Sequence, residues 1–266
     1  MKRVMTYVIS VVILLLAWEI ASVVVNAINQ VPLLPGPFDA LSQVVKNAAE
    51  LQRHFFASAW RLILAMLIAL ATAVPIGLLI GREPILDRLI SPMIYITYPI
   101  PQVALILFFF IVFGTGSATK VAMIALALFF QILVSARGAA KNLDEEYLTS
   151  VLSAGASHAQ VYWHVILPAT LPEVLTSVRV SIGLGIAFLY IAETYAAMGT
   201  GLGTFIKKYM FPRRDLAFAG IVAMAVLGLV LYVVLDLLEH LVCRWKYVKR
   251  NSQKMSLRKG KEHEAS

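Results

Sequence analysis

Little in this sequence has the residue types and spacing for covalent chemistry. No nucleophile–base pair and no paired-carboxylate site stands out among the titratable residues. His158 and His164 have no acidic or cysteine neighbours at metal-ligand spacing and read as surface residues. The single cysteine, Cys243, allows neither an intrachain disulfide nor a cysteine-based metal cluster, and reads as a small buried apolar side chain. The nearest approach to a phosphate-binding loop runs from Gly114 to Lys120. It lacks the Gly-Lys pair of G-x-x-x-x-G-K-[ST], whose backbone amides and lysine cradle a nucleotide. The sequence therefore predicts a protein that is not an enzyme.

What remains is chemistry of position and charge. Glu193 lies in an otherwise apolar run, where a carboxylate is expensive unless it faces protein or water. It is either a pathway or coupling residue, or a carboxylate paired inside a bundle or at a dimer contact. Glu19 and Arg61 sit in two other apolar runs at positions that would allow them to pair, while Asp236 and Glu239 mark the end of the last run. Pro99 and Pro101 interrupt a third run, and each removes a backbone donor. A broken helix at membrane depth is tolerated where it lines a cavity, so the segment from Tyr98 through Gln102 either borders a translocation path or forms a simple kink. Gly183 and Gly185 would permit close helix contact.

The richest polar stretch lies between residues 142 and 171. Asp144, Glu145 and Glu146 open a helical composition, acids first, as the helix dipole favours. Gly155 breaks it. Ser157 with Gln160 three residues on has capping-box spacing, and Val161, Val165 and Ile166 follow at helical intervals with Trp163. Pro168 is expected to end this second helix and Pro172 to begin the next. The pattern predicts two short helices joined by a glycine elbow, with an apolar face to bury against lipid or a partner.

The elements that must position these residues follow from composition. The chain has 266 residues, 60% hydrophobic and 14% charged, with a mean hydropathy of +0.80. A soluble domain is about 45–50% apolar and about 25% charged, so lipid must solvate much of this chain. A soluble enzyme, a disordered protein and a disulfide-stapled domain are excluded, and the alternating strands of a β-barrel would give a much weaker hydropathy than this chain's. Six apolar segments approach the ~20 residues that a membrane-crossing helix needs: 4–25, 60–80, 92–113, 118–136, 180–197 and 216–235. Each must be helical, because lipid offers the backbone no partner. The first follows Lys2 and Arg3 but is longer than the apolar core of a signal peptide, and reads as a retained helix.

An even number of crossings places both termini on one side. Most of the 23 lysines and arginines fall there, which predicts cytoplasmic termini, although Lys207, Lys208, Arg213 and Arg214 oppose the bias. The expected layout is one transmembrane domain, 1–245, with a long proline-bearing loop at 26–59 and a polar cytoplasmic loop at 137–179. A basic tail, 246–266, follows; although the whole chain carries a net charge of +8, the tail has no aromatic-interleaved motif and reads as an anchor touching anionic lipid, not as a nucleic-acid site.

The 142–171 stretch resembles the cytoplasmic loop of bacterial ABC-transporter permeases, whose pattern is Glu-Ala-Ala, three residues, Gly, nine residues, Ile, one residue, Leu-Pro. Here Gly155 is followed by nine residues and then Val165, Ile166, Leu167 and Pro168. Thr149, Ser150 and Val151 stand where the pattern has Glu-Ala-Ala, with Glu145 and Glu146 one turn earlier. The resemblance covers about residues 10–245. It includes Trp18-Glu19, Leu34-Pro35, Ser58 with Arg61, Pro92, Pro99-Ile100-Pro101, Phe113 to Gly116, Ala192-Glu193 and Gly199 to Gly203. As an ordered set these resemble the nitrate/sulfonate/taurine branch of importer permeases.

That resemblance implies an all-α, six-span permease of the cell inner membrane, working as a pair of identical copies. It would be served by two ATPase subunits and a soluble solute-binding protein. ATP and magnesium would be bound by the ATPase, with no cofactor or metal on this chain. Glu145, Glu146, Gly155, Ala156, Ser157, Val165, Leu167 and Pro168 would form the ATPase-docking loop. Tyr98, Pro99, Pro101, Gln102 and Glu193 would border the path, although an anion path is a poor place for a bare Glu193 carboxylate. Two rival readings predict other features: an ion-gradient-driven transporter needs more acids in its core and no docking loop, and a non-transporting scaffold shows no substrate-dependent ATP use.

Overall fold

The computed structural model describes residues 2–97, 99–195 and 199–245. Tyr98, the last two residues of the fifth expected span and the basic tail lie outside the described residues. Helices α1 (Lys2–Asn29), α2 (Pro37–Lys46), α3 (Ala48–Arg82), α4 (Pro84–Thr97), α5 (Ile106–Phe113) and α6 (Ser117–Lys141) make up the first half. Helices α7 (Glu145–Ser153), α8 (His158–Val161), α9 (Leu167–Tyr195), α10 (Leu202–Tyr209) and α11 (Arg214–Val242) complete it, with no strand among the described residues. Five helical stretches are long and apolar enough to cross a membrane, or six if the bent pair α4–α5 is one span.

The core is built on α3 and α6, with α9 packed against both and α11 against α9. On α3 small residues recur every fourth position: Ala65, Ala69, Ala73, Gly77 and Gly81. This spacing places them on one face. A Cβ at Gly77 would lie 2.7 Å from the Leu133 carbonyl oxygen, so the α3 and α6 backbones touch through this stripe. In lipid, where apolar burial drives helices together only weakly, such close packing is what holds a pair. By contrast α1 buries almost nothing within the subunit, apart from Ser22. It is tied to the 31–36 segment by Trp18, whose indole N–H donates to the Pro35 carbonyl at 3.1 Å, and by Ser22, which donates to the Leu34 carbonyl at 2.6 Å.

Two elements differ from expectation. The 26–59 region is not an extended loop: α2 and the first three turns of α3 occupy most of it. Hydropathy finds only the lipid-crossing part of a helix, and Glu50, Arg53 and His54 carry α3 onward into a polar zone. Pro168 does not end a helix, and Pro172 lies inside α9 instead of starting it. Helix runs on from His158 to Tyr195 through a π turn, Tyr162–Ile166. The wider turn puts the missing proline N–H where the hydrogen-bond step changes from five residues to four.

Candidate functional site

The 142–171 loop forms the expected elbow. Helix α7 begins at Asp144, in extended conformation, with Glu145 and Glu146 exposed in its first turn. It ends on Gly155, whose φ of +88° is left-handed backbone that glycine adopts without a Cβ clash. Gly155 N–H donates to the Leu152 carbonyl (2.9 Å) and Ala156 N–H to the Val151 carbonyl (3.3 Å), which is the Schellman stop. Ser157 then opens α8 with both arms of a capping box: Gln160 N–H donates to Ser157 Oγ at 3.3 Å, and Ser157 N–H to Gln160 Oε1 at 2.9 Å. One helix is stopped and the next started within three residues.

The elbow is anchored on one side only. Leu148, Val161 and Ile166 are buried in the core, and Ala156, Val165 and Leu167 pack half-buried against it. Tyr162 donates its hydroxyl hydrogen to the Pro75 carbonyl on α3 at 3.2 Å. The other side is open: Leu152 and Trp163 are 39% and 61% exposed, and no atom lies within 4 Å of where a Cβ at Gly155 would sit. Of the expected docking residues, Glu145, Glu146, Gly155 and Ser157 lie on the open side, while Ala156, Val165, Leu167 and Pro168 form its half-buried rim.

Charge pairs fasten this end of the bundle. Asp87 on α4 accepts from Arg137 Nε (2.5 Å) and Lys141 Nζ (2.8 Å) on α6. Arg82 donates to the Ala140 and Leu143 carbonyls at 3.3 and 3.5 Å, covering the C-terminal end of α6. Arg179 on α9 pairs with Asp236 and, at 3.4 Å, with Glu239 on α11.

At the opposite end of α3, Glu193 is fully buried. Ser58 lies 2.9 and 2.8 Å from its two oxygens, Arg61 donates to it at 2.6 Å, and the Gly203 amide donates at 2.9 Å. Arg61 also reaches the Thr200 carbonyl at 2.5 Å, and Ser58 Oγ accepts the Leu202 amide at 2.8 Å. The Gly201 amide donates to His54 Nδ1 at 3.0 Å. Gly201 has a φ of +143°, and a Cβ there would collide with the Glu193 carboxylate. The 199–203 segment is thus folded around one ion pair. Arg61 pairs with Glu193, and Glu19 instead lies beside Gly36. Nearby, the Tyr209 hydroxyl and then the Glu50 carboxylate hold the Lys208 ammonium above the usual lysine range.

Pro99 and Pro101 lie at the break between α4 and α5, which meet at 81°. Both are exposed, as are Ile100 and Val103, and Gln102 is half-buried in the short 3-10 turn that follows. Glu193 is not near this open surface but enclosed between α3, α9 and the glycine segment. The sequence reading missed Asp87, Arg137 and Lys141, and also Ser58 as the second partner of Glu193. An acid one turn into α4 and two cations four apart at the end of α6 were the available signals.

Long apolar helices, ion pairs at both ends and an exposed capped elbow define a multi-pass α-helical membrane protein. The chain belongs to the family of binding-protein-dependent transport system inner membrane components, whose family model matches residues 73–243. The Escherichia coli taurine transport system permease protein TauC is 33% identical over 220 residues, 80% of each chain. The Escherichia coli putative aliphatic sulfonates transport permease protein SsuC is 29% identical over 231 residues, 86% of this chain and 87% of that one. The Halalkalibacterium halodurans formylaminopyrimidine transport permease protein ThiX is 28% identical over 240 residues, 88% and 92%. Among solved structures, an inward-facing form of the MetNI methionine ABC transporter shares the fold: TM-score 0.63 at 17% identity, over 73% of this chain and 96% of that one.

Proposed function

We propose that this chain is the pathway-forming subunit of an ATP-driven importer of small sulfonates, taurine among them. Two copies form the path, a soluble binding protein delivers solute, and a separate ATPase grips each elbow. Both termini face the cytoplasm, so the elbow lies on the ATPase side of a bacterial inner membrane. The segment from Tyr98 to Gln102 borders the path. Glu193, neutralised by Arg61, contributes by holding the 199–203 segment and not by meeting solute. The reading rests above all on the elbow, whose exposed face is fixed by local hydrogen bonds and left uncovered by the subunit itself. The relatives named for taurine and aliphatic sulfonates supply the solute class.

The test is uptake of labelled taurine into vesicles holding this chain, its ATPase and its binding protein. ATP-dependent uptake that stops when any one component is left out supports the reading. Uptake driven by an ion gradient without ATP contradicts it.

A further inference from the structure

Helix α4 is attached to the subunit differently from its neighbours. The α3–α6 pair is joined along a stripe of small residues with backbones in contact, so those two helices move as one body. Only Ser91 and Ile94 of α4 are buried, while Ile85, Leu89, Met93 and Ile96 face away from the subunit. Its ion-paired link to α6 is Asp87, beside a weaker contact in which the Arg137 guanidinium lies 5.9 Å over the Tyr95 ring. One oxygen takes Arg137 Nε at 2.5 Å and the Ser91 hydroxyl at 2.7 Å, and the other takes Lys141 Nζ at 2.8 Å. Arg137 and Lys141 stand one turn apart, so the carboxylate is held at two points, which restrains rotation of α4 as well as its distance. The Asp87 and Arg137 side chains are only 16% and 12% exposed, where water screens the pair poorly.

Position along the chain gives this clamp its meaning. Lys141 is the last residue of α6, and α7 starts at Glu145. Glu145 shares with Asp87, Arg82 and Lys141 a cleft of about 510 Å³. In the other direction, α4 leads from Asp87 directly to the break at Pro99 and Pro101.

We propose that Asp87 is a positioning residue for energy coupling: it ties the proline-broken α4–α5 unit to the stalk of the docking elbow, so that a nucleotide-driven displacement of the elbow moves the segment at Pro99–Gln102. The inference rests on the elbow being the ATPase grip. Charge and bidentate geometry carry the link, so the amide at this position breaks it and the longer carboxylate keeps it.

The experiment uses the assembled transporter with its ATPase, the buried Cys243 replaced by serine. Spin labels are placed in separate samples at Thr149→Cys on α7 and Ile96→Cys on α4, both exposed positions. Distances between the two copies are measured without nucleotide and with ATP and vanadate, so no solute is needed. In the parent protein both labels shift with nucleotide. In Asp87→Asn the Thr149 shift is kept and the Ile96 shift is lost, and Asp87→Glu restores it. Lys141→Gln, which leaves the Arg137 arm in place, gives a partial loss and serves if Asp87→Asn fails to assemble. An undiminished Ile96 shift in Asp87→Asn or Lys141→Gln overturns the inference and leaves the docking reading standing. A parent protein whose Thr149 label stays still overturns the docking reading, and the inference with it.

Discussion

The glycine segment at residues 199–203 and the glycine elbow at residue 155 use the same residue to opposite ends. Gly201 and Gly203 are glycines because a carboxylate and a backbone press against them from inside the subunit. Gly155 is glycine because its backbone is left-handed, with open space where a Cβ would sit. The first region is held by partners far apart in sequence and, from Gly201 to Gly203, is buried; the second is held by residues within a few positions of one another and faces outward. A substitution at the first should therefore register as lost stability, and one at the second as lost coupling in a folded protein.

The largest effect should come from Glu193→Ala. It strands Arg61 and the Gly203 amide, and breaking one side of a buried ion pair costs about 3–5 kcal/mol. The expected outcome is a lower melting temperature in detergent and little folded protein in the membrane. Arg61→Met combined with Glu193→Met should recover part of the loss, since Arg61 is then no longer left as a buried charge without its carboxylate. If Glu193→Ala melts with the parent protein, the glycine segment does not depend on this pair.

Gly155 comes next. A branched residue in left-handed backbone costs about 1–2 kcal/mol, so Gly155→Val should disorder the elbow while the helices stay inserted. Gly155→Asn tolerates the backbone but places a side chain on the open face. Both should abolish ATPase association, with unchanged melting for Gly155→Asn. Retained association in Gly155→Asn would show that the open face is not gripped at this point. The smallest effect is expected for Ser157→Ala, which removes one arm of the capping box and costs about 1 kcal/mol. Faster amide exchange confined to residues 157–160 is the expected signature, with transport reduced but present.

These two regions also differ in how far the sequence reveals them. The elbow is legible because caps and Schellman stops are local: Gly155, Ser157 and Gln160 announce it within six residues. The long apolar helices are legible because lipid demands length and hydropathy. The partner of Glu193 is not legible, since Arg61 lies 132 positions away and Glu19, on a different run, was as ready a partner for it. Asp87 and Arg137, 50 positions apart, escape for the same reason. The small-residue stripe on α3 was readable from its fourfold period, although only the structure shows that α6 fills it. Pro168 misleads because the rule that proline ends a helix assumes a four-residue hydrogen-bond step, and a π turn supplies another.

The account stands on the elbow being the surface an ATPase holds, and amide hydrogen exchange on the reconstituted membrane protein measures this directly. Adding the ATP-binding subunit should slow exchange across residues 145–160 and leave residues 199–209 at their original rates. Unchanged exchange at the elbow, or protection that appears instead at the glycine segment, would contradict the account.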